Sequence, residues 1–214
     1  MNEFSCQTVK DIVFQLMNTD ILKDKVFIAG GIVPYIYSSR DSGRKHTDID
    51  IVVKDDDMLF VRQYLKSAGY YQKDFDSIEF DYNSGHVDYG IEVFIQDIPV
   101  SFAPFKVIGN DIIQKNFLKK ELSGYDALVK VTMCNIAVED YITHIEKDGL
   151  HIGTYTLEMV KCAKENSNRE KDIHDIREIE RIGINKERYT RVKPVIQNMR
   201  MDAITPDNVD APIQ

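Results

Sequence analysis

Two aspartates stand two positions apart in a stretch that predicts a β-strand. Asp48 and Asp50 open the run Asp-Ile-Asp-Ile-Val-Val, in which carboxylate and apolar side chains alternate before the run becomes fully apolar. Because side chains alternate between the faces of a strand, both carboxylates emerge on one face. Two aligned carboxylates repel each other and are tolerated chiefly with a cation between them, and oxygen ligands favour Mg²⁺. The sequence therefore predicts a magnesium site at Asp48 and Asp50.

A pair of glycines upstream can supply a phosphate-binding turn. Val26–Ala29 predicts a short apolar strand, Gly30 and Gly31 end it, and residues 32–39 predict a helix. The bare N–H groups of such a turn and the helix N-terminus can approach phosphate oxygens closely. A triphosphate can then bridge the turn and the metal ions. In two-metal chemistry one cation activates an acceptor hydroxyl and the other stabilises the leaving pyrophosphate.

The order and spacing of these features resemble a known signature. In the polymerase-β-like nucleotidyltransferases, a Gly-Gly or Gly-Ser turn precedes Asp-x-Asp by a short helix, as Gly30 and Gly31 precede the aspartates here. The run from Arg44 to Asp50 reads Arg-x-His-x-Asp-x-Asp, which resembles the lincosamide and aminoglycoside adenylyltransferases within that superfamily.

The resemblance implies an α+β (α/β) fold, with a small mixed sheet flanked by helices and followed by a C-terminal helical bundle. It implies Mg²⁺, a nucleoside triphosphate with ATP as the default, and transfer of a nucleoside monophosphate to a hydroxyl. By the same resemblance Gly30 and Gly31 correspond to the phosphate-contacting turn, and Asp48 and Asp50 to metal ligands. Arg44 is expected to contact the nucleotide, whereas His46, beside it, is left without an assigned role.

The family's third carboxylate lies on a neighbouring strand. The best candidate is Glu92, an acidic residue inside the apolar run Gly-Ile-Glu-Val-Phe-Ile, with Asp88 on the same face and Asp97 in the following turn as alternatives. In the drug-modifying relatives the third acid tends to fall in a segment that resembles Val100–Phe105, which has no carboxylate in this chain.

A second resemblance lies in the C-terminal half. Lys161, together with the run Arg-Glu-Lys-Asp-Ile-His-Asp-Ile that begins at Arg169, resembles a helix of the abortive-infection-system nucleotidyltransferase toxins. Lys161 and Lys171 are predicted nucleotide-binding residues, and Asp172 and Asp175, three apart on a helix, can orient the cations toward phosphate. A surface ladder of salt bridges is the alternative interpretation.

Apolar periodicity and turn residues predict the elements that position these residues. Helices are expected at 7–18, 32–39, 57–68, 124–134, 137–147, 155–166, 170–182 and 187–199, and strands at 26–29, 48–53, 77–82, 90–95 and 99–103. We therefore predict a catalytic domain at 1–108, a helical domain at 109–200 and a flexible tail at 201–214.

Composition narrows the classes of partner. The net charge of −8 disfavours a general nucleic-acid coat protein, and three widely spaced cysteines indicate a reduced, cytoplasmic protein. No apolar run approaches the length of a membrane span. The acceptor can be a small molecule, a protein or a tRNA, and a homodimer would be in keeping with some relatives. The alternative function is a catalytically silent nucleotidyltransferase-fold binding module or a toxin–antitoxin component.

Overall fold

The structure is a computed structural model of the 214-residue chain. It describes residues 2–38, 40, 43–73, 76, 81–82, 85–86, 88, 90–109, 111–122, 125–133, 136–167, 169–198 and 200–204.

Seven helices and thirteen strands are present in these residues. The helices are α1 (Cys6–Met17), α2 (Val33–Tyr37), α3 (Met58–Ser67), α4 (Val138–Tyr141), α5 (Leu157–Ser167), α6 (Glu170–Ile182) and α7 (Lys186–Gln197). The strands are β1 (Phe4–Ser5), β2 (Val26–Ala29), β3 (Lys45–His46), β4 (Ile49–Lys54), β5 (Asp81–Tyr82), β6 (Gly85–His86), β7 (Ile91–Ile95), β8 (Ile98–Ile108), β9 (Asp111–Leu122), β10 (Tyr125–Met133), β11 (Ile142–Lys147), β12 (Leu150–Tyr155) and β13 (Arg200–Ile204). Single 3₁₀ turns at Gly30–Ile32 and Asp55–Asp57 lead into α2 and α3.

The main sheet is mixed, as the sequence predicts. Its strands run in the order β11-β12-β2-β4-β8-β9-β10-β13, and β7 pairs with the first part of β8. β12 with β2 and β4 with β8 are parallel pairs, whereas β2 with β4 and β7 with β8 are antiparallel. A mixed sheet flanked by helices confirms the predicted α+β class.

The core explains why the first elements form where the pattern places them. Val9, Ile12, Val13 and Leu16 recur at helical spacing, are fully buried in α1, and follow the N-cap Ser5, whose hydroxyl accepts from a backbone N–H three residues on. All four residues of β2 are buried, which matches a strand covered on both faces of the sheet.

Two predicted helices are wrong. Residues 125–133 form β10, and residues 142–147 form β11 after the single turn of α4. Apolar residues at 138, 141, 142 and 145 fit a helical period, but Asp148 and Gly149 form the tight turn of a hairpin, with φ of +51° and +78°. Both central residues of a type I′ turn need positive φ, and such a turn joins antiparallel strands. β11 therefore pairs with β12 from Lys147 and Leu150 onward.

The remaining predicted boundaries have mixed outcomes. Of the strand predicted at 77–82, only 81–82 lie within the described residues, and they form β5. Residues 201–204 form part of β13, and the rest of the predicted tail lies outside the described residues. The sheet continues past residue 108, and the division into domains at that point stays a prediction.

In the described part of the chain, no helix is long and apolar enough to cross a membrane.

Candidate active site

A row of polar side chains crosses three neighbouring strands of the main sheet, β4, β8 and β7. Asp50 on β4 pairs in register with Ser101 on β8, and Ser101 pairs with Glu92 on β7. Paired residues of adjacent strands point to the same face, so the three side chains stand side by side. Their α-carbons span two strand spacings, or about 10 Å. Asp48 lies two residues before Asp50 along the chain, and its side chain is exposed. We call Asp48, Asp50 and Glu92 the acidic row.

The acids of this row interact electrostatically. The pKa of Asp50 is raised to about 6, mainly because the surrounding protein excludes water from its carboxylate and secondly because Asp48 is negatively charged. The side chain of Asp50 still has an exposed surface. The Ser101 hydroxyl donates to Oδ1 of Asp50 at 3.3 Å and opposes this rise. Burial and the charge of Asp48 also raise the pKa of Glu92. The three carboxylates therefore share a region where added negative charge is unfavourable and a cation would be stabilised.

The glycine turn lies directly against this row. Gly30 ends β2 with a φ of +68°, and a methyl group on its α-carbon would overlap the carboxylate of Asp50. Gly31 is enclosed by a different group, because a methyl there would lie 3.1 Å from Nη2 of Arg44 and 3.2 Å from Oδ2 of Asp175. The two glycines thus separate the acidic row from a set of charged side chains on the C-terminal helices.

The two alternatives for the third acid are placed differently from Glu92. Asp88 accepts from both terminal nitrogens of Arg62, at 2.6 and 2.9 Å, in a network that also contains Asp76. Asp97 occupies the β7–β8 hairpin turn with a φ of +64°, three residue pairs along the ladder from Glu92. Of the three candidates, Glu92 is the one in register with Asp50.

Asp175 on α6 collects the charged side chains beside Gly31. It is fully buried and accepts from Nε of Arg44 at 3.0 Å and from the Tyr35 hydroxyl at 3.1 Å. The ammonium group of Lys164 lies 3.0 Å from its other oxygen. A buried carboxylate with two cationic partners and a hydroxyl is a rigid support for those cations.

Asp172, one turn earlier on α6, holds the next cations. It pairs with Lys164 at 2.8 Å and with Nε of Arg169 at 2.9 Å. The charges of Lys164 and Lys171 lower the pKa of Asp50, and the charge of Asp48 helps Asp172 to raise the pKa of Arg169. These cations therefore lie within electrostatic range of the acidic row.

Arg44 and Lys171 line one groove of about 610 Å³ together with other basic residues. Its walls are Glu3, Tyr35, Gly43, Arg44, Lys45, Thr47, Lys171, His174, Arg177, Glu178 and Arg181. The walls include Thr47, the residue before Asp48, but none of Asp48, Asp50 and Glu92. Cations outnumber carboxylates on its walls, which favours a negatively charged occupant.

Lys161 and His46 have other surroundings. The ammonium group of Lys161 lies 2.9 Å from Glu165 and 2.9 Å from Glu180, so its charge is compensated within the helical layer. His46 is buried with its ring 5.7 Å from that of Tyr35, and burial followed by the charge of Arg44 lowers its pKa to about 4. A neutral His46 therefore packs on Tyr35 in β3, two residues before Asp48.

The sequence did not single out Lys164 or Ser101. Lys164 lies one helical turn beyond Lys161 on α5, whereas Asp172 and Asp175 lie on α6. Helical periodicity predicts side-chain contacts within one helix but not between two. Ser101 is a polar residue within an alternating apolar strand, which sequence can show. Its contact with Asp50, however, depends on the pairing of β4 with β8. Both contacts join residues of different secondary-structure elements.

The fold of this chain is similar to that of solved nucleotidyltransferase structures. No family model matches the sequence, and no curated protein matches it. The lincosamide antibiotic adenylyltransferase LnuA, in a lincomycin-bound crystal structure, superimposes with a TM-score of 0.52 at 16% identity, over 85% of this chain and 100% of that chain. The antibiotic-resistance factor ANT(2'')-Ia, in complex with an adenylyl-tobramycin, superimposes with a TM-score of 0.53 at 12% identity, over 88% and 97% of the two chains.

A solution structure of ANT(2'')-Ia gives the same result, with a TM-score of 0.53 at 13% identity. The likeness covers nearly the whole of each of these structures. It shows that the chain has a nucleotidyltransferase fold, as the sequence predicts.

Proposed function

We propose that this chain is a Mg²⁺-dependent nucleotidyltransferase that moves a nucleoside monophosphate from a nucleoside triphosphate to an acceptor hydroxyl. The observation that carries the proposal is the accessible acidic row of Asp48, Asp50 and Glu92 beside the Gly30 turn. Cations fixed on the C-terminal helices lie within electrostatic range of that row. A fold shared with adenylyltransferases supports the same reaction class.

The acidic row fits a hard divalent cation. Its donors are carboxylate oxygens, with the Ser101 hydroxyl between the two strands that carry Asp50 and Glu92. Burial, and after it the charge of Asp48, raises the pKa of Asp50, and a bound cation would offset both effects. We assign Asp48, Asp50 and Glu92 as the ligands. Magnesium ions bound there would activate the acceptor oxygen and stabilise charge on the leaving pyrophosphate.

The protein's own groups then position the triphosphate. Gly30 and Gly31 carry no side chain and are partly exposed beside the acids, so phosphate oxygens can approach their backbone N–H groups. Arg44 and Lys171 line the basic groove that also contains Thr47, and Lys164 is held between Asp172 and Asp175. We assign phosphate binding to Arg44 and Lys164, which Asp175 holds beside Gly31, and to Lys171, whose charge lowers the pKa of Asp50. The role predicted for Lys161 is left to a direct test.

ATP is the proposed donor. The complex of ANT(2'')-Ia contains an adenylyl group on tobramycin, and LnuA is described as an adenylyltransferase. The acceptor in our proposal is a hydroxyl of a small molecule, a protein or a tRNA, and the groove beside Thr47 is where it would enter.

Isothermal titration of ATP, GTP, CTP and UTP with and without Mg²⁺ tests this proposal. The wild type is compared with Asp50→Asn and with Asp56→Asn, which alters an exposed aspartate of the 3₁₀ turn after β4. We expect Mg²⁺-dependent binding in the wild type and in Asp56→Asn, and its loss in Asp50→Asn with the fold preserved. Equal binding in all three proteins would place the nucleotide elsewhere.

Pyrophosphate release in the presence of candidate acceptors separates an enzyme from a silent module. Binding without release, for any acceptor class, would favour the binding-module alternative. Release that disappears in Asp50→Asn would support transfer at this site.

A further inference from the structure

A second cluster of metal-ligating side chains lies away from the acidic row. The β11–β12 hairpin brings together His144 and His151, which are seven residues apart in sequence. His151 pairs with Glu146, two residues from His144, so both imidazoles stand on the same face of the hairpin. Their rings are parallel within 12°, with centroids 4.5 Å apart.

Asp24 completes the cluster from another part of the chain. It lies in the loop before β2, with a φ of +60°. Its Oδ1 atom is 3.9 Å from Nε2 of His144 and 3.8 Å from Nε2 of His151. The three ligand atoms lie within 4.8 Å of one another, and all three side chains are exposed. We call Asp24, His144 and His151 the histidine cluster.

A hydrogen bond at Nδ1 determines which nitrogen of His151 is available to a metal ion. Nδ1 of His151 lies 2.6 Å from Oε1 of Glu146. When Nδ1–H donates to that carboxylate, the neutral ring directs the lone pair of Nε2 toward Asp24. A lone pair and a carboxylate oxygen then face each other at 3.8 Å, too far apart for a direct hydrogen bond and suited to a cation between them.

The ring of His144 is held by an aromatic neighbour. Its ring packs against Phe27, with centroids 5.3 Å apart. This contact orients the imidazole on the hairpin face that also carries His151.

From this geometry we infer that the histidine cluster binds a transition-metal ion of the Zn²⁺ class. Two imidazole nitrogens and one carboxylate oxygen suit Zn²⁺ and related ions, whereas Mg²⁺ takes oxygen ligands. Three protein ligands leave a further coordination position for water. Glu146 orients His151 in the manner of a carboxylate–histidine–metal triad.

The ion would join two parts of the sheet. Asp24 precedes β2, and the histidines belong to β11 and β12, which form the edge next to β2. Gly30 lies at the other end of β2, roughly 15–20 Å from Asp24 along the strand direction. The inferred site is therefore separate from the acidic row and does not depend on the proposed nucleotidyl transfer.

Metal titration of the full chain tests the inference. Protein stripped with a chelator is titrated with Zn²⁺ by calorimetry in excess Mg²⁺ at neutral pH, and Co²⁺ replaces Zn²⁺ for visible absorption. The variants are His144→Ala, His151→Ala, Glu146→Gln and Asp50→Asn, with His174→Ala, an exposed histidine on α6, as the matched control. Circular dichroism in chelator checks that each variant is folded.

We expect one Zn²⁺ per chain, bound with similar affinity in the wild type, His174→Ala and Asp50→Asn. Affinity should fall at least about 10-fold in His144→Ala and His151→Ala, and roughly 10-fold or more in Glu146→Gln. Zn²⁺ should also raise the Tm of the wild type but not of His151→Ala. Absence of binding in the wild type, equal binding in the two histidine variants, or loss of binding in Asp50→Asn alone would each overturn the inference.

Discussion

Gly30 lies so close to Asp50 that its α-carbon has no room for a side chain. A methyl group there would overlap the carboxylate, and the φ of +68° is itself unfavourable for any residue with a Cβ atom. The turn proposed to hold the triphosphate is thereby set directly against a proposed metal ligand. Two separate physical reasons thus require glycine at this position.

Gly30→Ala should therefore impair the site as well as the backbone. Displacement of Asp50 by the new methyl group should lower Mg²⁺-dependent pyrophosphate release by roughly 100-fold, the scale expected for misplacement by about 1 Å. Gly69→Ala is the matched control, because Gly69 has a similar φ of +76° and nothing within 4 Å of the position of a Cβ atom. It should lose about 1–3 kcal/mol of stability through the same backbone strain while it keeps its turnover.

Glu92→Gln should abolish most Mg²⁺-dependent turnover, whereas Asp97→Asn should leave it unchanged. Glu92 is in register with Ser101 and Asp50, and Asp97 lies in the hairpin turn. Steady-state pyrophosphate release across a Mg²⁺ titration measures both. We expect the apparent Mg²⁺ affinity of Glu92→Gln to fall at least about 10-fold, since removal of one charged ligand is comparable to loss of a charged hydrogen bond.

A second-site variant sharpens this prediction. Ser101→Asp would place a carboxylate on β8 between the positions of Asp50 and Glu92. In the Glu92→Gln background it should restore part of the Mg²⁺ affinity. Full activity of Glu92→Gln alone would remove Glu92 from the metal site.

Two buried lysines on α5 provide a matched pair. Lys164 lies between Asp172 and Asp175 beside Gly31, whereas Lys161 is compensated by Glu165 and Glu180. Lys164→Met should weaken Mg²⁺–ATP binding roughly 10- to 100-fold, the value of a charge-assisted contact. Lys161→Met should change the Kd for nucleotide little. Calorimetry on both variants decides between them, and the reverse result would restore the role predicted from sequence for Lys161.

The buried carboxylate of Asp172 should govern stability in acid. Burial opposes ionisation, but hydrogen bonds from Arg169, Lys164 and Ser167 prevail and hold the pKa of Asp172 well below its ordinary value. The stabilisation is therefore fully present above the unfolded carboxyl pKa of about 4 and is lost as pH falls through the lower folded value. Loss of one partner from such a buried network costs about 3–5 kcal/mol.

Chemical denaturation of the wild type and Asp172→Asn at several pH values measures this effect. The difference in unfolding free energy between them should be largest near neutral pH and should narrow as the medium becomes more acidic. Asp56→Asn, at an exposed position of the 3₁₀ turn before α3, should unfold as the wild type does at every pH. A constant difference for Asp172→Asn across the range would contradict the proposed ionisation.

The sequence alone determined the features that depend on neighbours along the chain. The alternation at Asp48 and Asp50 requires both acids on one strand face, and the glycine pair after Val26–Ala29 predicts the turn that the structure contains. Apolar spacing also located α1, α3, α5, α6 and α7 to within two residues at each end. Local steric and hydrophobic preferences act over a few residues, so they are readable without the fold.

The tertiary structure decided what depends on pairing between distant segments. The period at 138–145 fits a helix, but hydrogen bonding to β12 across the Asp148-Gly149 turn makes 142–147 a strand and brings His144 next to His151. The alignment of Asp50 with Glu92 likewise rests on two ladders that meet at Ser101. Backbone hydrogen bonds between strands are the same for every residue type, so the sequence identifies the acidic residues but not the strands that pair. The register of the sheet brings Asp50 and Glu92 together.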